Sequence, residues 1–208
     1  MDGVFMKKIF KLICILVLLV TVFWVGSVFH DKQSLQEDLI RLHVVANSDS
    51  EEDQALKLQV RDAVISYLEN AMDTIPNAGQ AKTYLQGDLH KLESFVNQYL
   101  ISQGSTYTAS VSLGKEQFGI RDYDTFSLPS GVYESLRVTI GEGAGKNWWC
   151  VVFPRLCLPA VSQSFEDAAA GADFSQSLVP TLQQEKGYEV RFFLLDVLGR
   201  IENFFFKS

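Results

Sequence analysis

The sequence predicts an α+β fold, in which an N-terminal apolar helix precedes one domain with a mixed, mainly antiparallel sheet. Two long helices and a C-terminal helix are expected to pack against that sheet. Three observations predict this arrangement: a charge-free run at residues 12–29, two successive helical apolar stripes at residues 51–103, and alternating strand patterns at residues 107–153. Helices that come first and strands that cluster afterwards are typical of α+β layouts.

The N-terminal segment has the pattern of an export signal. Lys7, Lys8 and Lys11 precede the apolar run at residues 12–29, which would span about 27 Å as a helix, close to the thickness of the hydrocarbon layer. Its length fits both a signal peptide, with small residues around Ser27 for cleavage, and a retained anchor. We therefore expect residues 1–30 to be a signal peptide or membrane anchor and residues 31–208 to form a single extracytoplasmic domain.

The exported part is acidic. Without residues 1–30 the chain keeps 15 basic and 24 acidic residues, a net charge of −9. Such a surface is repelled by phosphates and by anionic lipid head groups, and no basic cluster interrupts it. The charge excludes nucleic acid as a partner and favours a domain that meets a protein.

The first strand and helix of the domain follow directly from their patterns. Apolar residues alternate with Arg41, His43 and Val45 over residues 40–46, which predicts a strand. Ser50 and Asp53 then form a Ser-x-x-Asp capping box, and an apolar stripe at helical spacing predicts a helix to about Met72.

A second helix is predicted over residues 81–104, followed by a strand at residues 107–113. Residues 114–117 have a turn composition, so we expect the chain to return at residues 118–123. Further strands are predicted at residues 132–140 and 148–153, the last so apolar that it suits the middle of a sheet.

The chain closes with a predicted helix over residues 188–206. Its apolar stripe predicts docking on the sheet. Contact with a membrane or a partner is the alternative, because the three consecutive aromatic residues Phe204, Phe205 and Phe206 cannot all face one core. The stripe consists of Leu194, Leu198, Ile201 and Phe205.

The segments that resemble cofactor or metal sites lack the neighbouring residues that such sites require. The glycines of residues 141–145 precede Lys146, but Asn147 replaces the Ser or Thr of a phosphate-binding loop and a strand follows instead of a helix. Residues 47–53 lack the glycine and the terminal glutamate of a calcium loop, so helix capping explains them better. His43 and His90 have no zinc-ligand spacing. We expect no metal, no cofactor and no small-molecule substrate.

Two cysteines lie in the exported part. Cys150 and Cys157 are separated by six residues that include Pro154, so a disulfide is geometrically feasible, and two buried thiols are the alternative. A cysteine nucleophile paired with His43 is the enzymatic alternative, although cysteines in apolar strands are usually inert.

Six residues are candidates for partner contact. Arg41 and His43 share the less apolar face of the first strand; they could hydrogen-bond at a sheet edge, with Asn47 and Asp49 capping the helix, or all four could form a recognition patch. Trp148 and Trp149 point to opposite faces of a strand, so one is expected in the core and the other could anchor a partner. The candidates are Arg41, His43, Asn47, Asp49, Trp148 and Trp149.

Residues 39–58, residues 148–157 and Val190-Arg191-Phe192-Phe193 resemble the conserved domain of the stage II sporulation protein R family of endospore-forming bacteria. The resemblance implies a protein made in the forespore and exported into the space between forespore and mother cell. There it would activate a membrane-embedded aspartic protease of the stage II sporulation protein GA type, which processes pro-sigma-E. The resemblance implies a ligand and not an enzyme; an extracytoplasmic cysteine-dependent hydrolase and a membrane-anchored structural protein are the competing classes.

Overall fold

The computed structural model describes residues 2–123, 126–154, 182 and 190–206. The helices are α1 (Asp2–Asp38), α2 (Glu51–Met72), α3 (Ala78–Ser102) and α4 (Val190–Phe205). The strands are β1 (Ile40–Val45), β2 (Ala109–Phe118), β3 (Arg121–Asp122), β4 (Ser127–Leu128), β5 (Gly131–Ile140) and β6 (Asn147–Phe153).

The main sheet is mixed and mainly antiparallel, as the sequence predicts. Its strand order is β2-β5-β1-β6, where β1 runs parallel to β5 and the other two pairs are antiparallel. A two-stranded hairpin, β3 with β4, stands apart from it. The α+β class is confirmed.

One face of the sheet is covered by α2 and α3. Helix α2 begins where the predicted cap places it, since Ser50 Oγ accepts from Asp53 N. Helix α3 begins three residues before the predicted start, where Asn77 Oδ1 accepts from Gln80 N as its cap. Their apolar stripes pack on the inward residues of the strands in one buried cluster. Representative members are Leu42, Val44, Val64, Leu68, Leu85, Leu92, Leu136 and Val138.

The opposite face of the sheet is covered at one end by the last turns of α1, by α4 and by the hairpin. These elements share a second apolar cluster with the strands. Its buried members are Leu35, Leu39, Phe118, Phe126, Leu128, Tyr133, Val151, Leu182 and Phe192. The rest of this face carries buried Arg41 and His43 and half-buried Glu116 and Trp149, which are described below.

Helix α1 has two parts. It is the one helix within the described ranges that is long and apolar enough to cross a membrane, and its side chains from Met6 to Val25 are exposed. From Val28 onward it packs on the domain, with Leu35 completely buried, so the helix runs without a break through residue 30 into the domain. The division of the chain at residue 30 stays a prediction.

The turn predicted at residues 114–117 is wrong. Strand β2 continues through all ten of its residues, and Gly114 and Lys115 pair with Ser135 and Glu134 of β5. Ladder partners on a strand twenty residues away override the local turn composition. The chain reverses later, in the short hairpin.

Strand β6 does not occupy the middle of the sheet. It lies at one end of the described strand order, although Cys150 to Phe153 are buried. An all-apolar strand indicates burial on both faces. Strand β6 is buried because its residues belong to the apolar clusters on the two faces of the sheet, and this does not require a strand on each side.

The face by which α4 docks also differs from the prediction. Phe192, Leu195 and Gly199 are turned toward the sheet, whereas Ile201 and Phe205 of the predicted stripe are 51% and 75% exposed. Buried Asp196 explains the rotation, because its carboxylate accepts from the backbone N and the hydroxyl of Ser130. Asp196 and Gly199 therefore determine which face of α4 contacts the sheet.

Candidate functional site

Arg41 and His43 lie within the sheet and not at its edge. Strand β1 pairs with β5 on one side and β6 on the other, and the two side chains are 0% and 4% exposed. The edge position considered from the sequence is therefore wrong. In this conformation a partner could reach either side chain only through the residues that cover it.

Arg41 is a buried cation among aromatic rings. Its guanidinium carbon lies 3.9 Å from the centroid of Phe118 and 5.1 Å from that of Tyr133, and Nη2 donates to Tyr123 Oη at 3.0 Å. Nε and Nη1 have no hydrogen-bond acceptor among the described residues. Burial lowers the pKa of Arg41 because desolvation disfavours its charged form. Arg41 thus ties the hairpin to the sheet through one hydrogen bond, and its cation–π contacts link β1 to strands β2 and β5.

His43 belongs to a row of side chains that crosses all four strands of the main sheet. Its Nδ1 lies 3.0 Å from Glu116 Oε2, and the other carboxylate oxygen accepts from Arg137 Nη1 at 2.9 Å. On the opposite side the imidazole stacks on Trp149, with the ring centroids 3.7 Å apart. The row consists of Glu116 on β2, Arg137 on β5, His43 on β1 and Trp149 on β6, and it fixes the strands laterally.

The pKa of Glu116 reflects this row. Partial burial acts to raise the pKa, but the hydrogen bonds from His43 and Arg137 outweigh it and lower the pKa to about 2. Glu116 is not among the predicted site residues because residues 114–117 have the composition of a turn. The available signal was the alternation of polar residues that continues from Ser110 and Ser112 to Glu116.

We expect Glu116→Gln to reduce the acid sensitivity of the folded state. The folded pKa of about 2 lies below the ordinary value of about 4.3. Ionised Glu116 therefore stabilises the fold above about pH 4.3, and this contribution disappears as the pH falls toward 2. The measurement is the urea midpoint of the full chain in detergent micelles from about pH 5 to about pH 2.5.

The control for this measurement is Glu142→Gln, which changes an exposed glutamate in a loop. It should keep the pH profile of the unmodified chain. An unchanged profile for Glu116→Gln would contradict the stabilising role of the row.

Asn47 and Asp49 join two loops at the end of the sheet, the paired loops of residues 46–50 and 141–146. Asn47 Oδ1 accepts from Glu142 N at 3.0 Å, and Asp49 Oδ1 accepts from Lys146 N at 2.7 Å. Backbone bonds from Ala144 to Asn47 and from Gly145 to Ala46 complete the contact. Both side chains therefore join the two loops to each other. Their contact with a partner stays a prediction.

The capping box is only half formed. Asp53 N donates to Ser50 Oγ at 3.2 Å, but the Asp53 carboxylate turns to Asn47 Nδ2 and Ser48 Oγ. These two hydrogen bonds lower the pKa of Asp53. The first turn of α2 is thereby linked to the paired loops.

The two tryptophans of β6 lie on opposite faces of the strand. Trp149 is half-buried and meets His43 and Phe118. Trp148 is 36% exposed, and the Arg61 guanidinium of α2 lies 4.2 Å from the centroid of its ring. Of the six candidates, Trp148 and Asp49 are exposed.

Cys150 is buried and disulfide-bonded, and Cys14 is a free cysteine. Cys157, its predicted partner, lies outside the described residues, so the pairing stays a prediction. A sulfur held in a disulfide is not a thiolate nucleophile. Within the described ranges no cluster of three or more His, Cys, Asp or Glu side chains is suited to a metal ion.

Comparison with known proteins gives one family. Residues 36–163 match the family model described as stage II sporulation protein R. The chain is 30% identical over 181 residues to a protein of Bacillus subtilis (strain 168) named stage II sporulation protein R, covering 78% of this chain and 80% of that protein. No solved structure matches the chain.

Proposed function

Since the chain belongs to the stage II sporulation protein R family, we propose that it is an exported signal of endospore formation that activates a protease. It is made in the forespore and passes into the space before the mother-cell membrane. There it activates the membrane-embedded aspartic protease that processes pro-sigma-E. The family match is the observation that carries the proposal, and apolar helix α1 ahead of a folded domain supports export.

Activation requires that the domain bind the active state of the protease more tightly than the inactive one. A ligand with equal affinity for both states would shift neither population. The described domain is suited to such a role because its helices are packed on the sheet through two buried apolar clusters. It would present a fixed surface to the exported side of the protease.

The contact surface we propose centres on Trp148 and Asp49, beside the paired loops. Trp148 is held by the Arg61 guanidinium, so a large ring is exposed in a fixed orientation, the usual character of an interface anchor. Asn47 is half-buried next to them. Arg41, His43 and Trp149 act from beneath as positioning residues for β6.

The test is an immunoblot for pro-sigma-E cleavage in a non-sporulating host that carries the protease and its substrate, with and without this chain. We expect cleavage only when the chain is present, and we expect it to persist when Cys150→Ser and Cys157→Ser are combined. Loss of cleavage in the export-competent, folded double variant would instead favour a cysteine-dependent hydrolase. No cleavage with the exported, folded chain would overturn the proposed function.

We expect Trp148→Ala to reduce cleavage strongly in the same host. Removal of an aromatic anchor typically costs at least about 2 kcal/mol of binding free energy, or about 30-fold in affinity. The matched control is Tyr84→Ala on α3, because that aromatic side chain is also 36% exposed. Equal processing by the two variants, at equal export, would place the contact surface elsewhere.

A further inference from the structure

The outward face of α4 is apolar to an unusual extent. Phe204 is 82% and Phe205 75% exposed, and Phe193 and Ile201 each expose more than half of their surface. Single exposed apolar residues are common, but Phe204 and Phe205 also contact each other edge to face, with ring centroids 5.2 Å apart, and Ile201 lies one turn before them. Such a cluster at the end of one helix indicates an interaction surface. We call these four residues the outer face of α4: Phe193, Ile201, Phe204 and Phe205.

The carboxylates of α4 are turned away from this face. Asp196 is bound to Ser130 and to Arg200 Nε, and Glu202 accepts from Lys32 Nζ and Gln36 Nε2. Burial acts to raise the pKa of both groups, but these hydrogen bonds outweigh it, so both pKa values are lowered. Although the exported part of the chain is acidic, the outer face of α4 presents no carboxylate.

Helix α4 is joined to α1 just beyond the apolar run. Lys32 and Gln36 hold Glu202 at 2.7 and 2.6 Å. Lys32 follows Phe29, the last residue of the apolar run, by about 4.5 Å along the helix. Phe204 and Phe205 are within one turn of Glu202, about 5.4 Å. They therefore lie close to the level at which α1 would leave a membrane.

We propose that α1 spans a membrane, as its length and composition allow, and that the outer face of α4 lies in the interfacial layer of that membrane. An apolar helix face can sit about 5–10 Å into the boundary between head groups and acyl chains, and the bonds from Lys32 and Gln36 to Glu202 place the end of the outer face, Ile201, Phe204 and Phe205, near that level. The absence of carboxylates removes the electrostatic cost that the rest of the acidic domain would meet there. The proposal does not depend on the protease partner.

The test uses the full chain reconstituted in phosphatidylcholine vesicles, with Cys14→Ser as the background. A fluorophore sensitive to its environment is attached at Phe204→Cys, and separately at Ile201→Cys, which leaves every phenylalanine in place. The control position is Ile101→Cys. Ile101 is 71% exposed near the start of β2, and α4 contacts the end of β2 through Gln117, about 25–30 Å away by strand length.

We expect lipids brominated near the head group to quench the probes at positions 204 and 201 and to leave the probe at position 101 unchanged. Aqueous iodide should quench the probe at position 101 more strongly than the probes at positions 204 and 201. The labelled Cys14→Ser parent measures any signal from the remaining cysteines. If the probes at 204 and 201 respond like that at 101, the outer face is not in lipid, the proposal is overturned, and a protein becomes the better occupant.

Discussion

Replacing Gly199 with alanine is expected to detach α4 from the sheet and to lower the free energy of unfolding by about 3 kcal/mol or more. A β-carbon at this position would fall inside the contact distance of the Ser130 carbonyl, which is backbone and cannot turn away. If α4 moves out, Ser130 loses its bonds to Asp196. Buried groups left without partners cost about 1–3 kcal/mol each.

The matched control is Gly87→Ala on α3. Gly87 also lies within a helix, but a β-carbon there meets no atom within 4 Å, so alanine should raise stability by roughly 0.5–1 kcal/mol through helix propensity. Urea unfolding of the full chain in micelles, with amide exchange of α4, measures both variants. Equal stability of Gly199→Ala and the unmodified chain would contradict the close docking of α4.

The same contact shows why the docking face of α4 could not be predicted. The apolar stripe through Leu194 and Leu198 has the better helical periodicity, and periodicity assumes that the most apolar face is buried. Here Asp196 and Gly199 determine the face, and their partner Ser130 is about seventy residues away. The sequence does not reveal that this partner needs a carboxylate.

Local signals performed better where both partners are close in sequence. Ser50 was readable as a cap because it bonds to the amide three residues on, within the Ser-x-x-Asp pattern. Strand β1 was readable from its alternation, and α2 and α3 from their stripes. Local pattern and final structure agree in these elements because the same residues form the caps and the core.

The candidate site was only partly readable. The sequence singled out Arg41 and His43 but not the residues that surround them, because Glu116, Tyr123 and Arg137 are brought to β1 only by the sheet. Strand order decides whether a polar residue on a strand is exposed at an edge or enclosed in the sheet. That order cannot be obtained from one sequence.

The paired loops give the second large effect. Gly145 lies against the backbone of Ser48, and a β-carbon there would overlap the Ser48 carbonyl carbon and oxygen. Gly145→Ala must therefore separate residues 46–50 from residues 141–146. Four hydrogen bonds join these loops, and at about 0.5–1.5 kcal/mol each their loss would cost about 2–6 kcal/mol.

Separating the loops should also reduce protease activation, because Lys146 leads directly into β6 and Lys57 Nζ holds its carbonyl at 3.0 Å. Trp148 would lose its fixed position even though its own side chain is unchanged. The control is Gly114→Ala on β2, where a β-carbon meets nothing within 4 Å. We expect Gly145→Ala, and not Gly114→Ala, to lower both the urea midpoint and pro-sigma-E cleavage. If Gly145→Ala lowers the urea midpoint but the folded variant still supports full pro-sigma-E cleavage, the paired loops do not contribute to the contact surface.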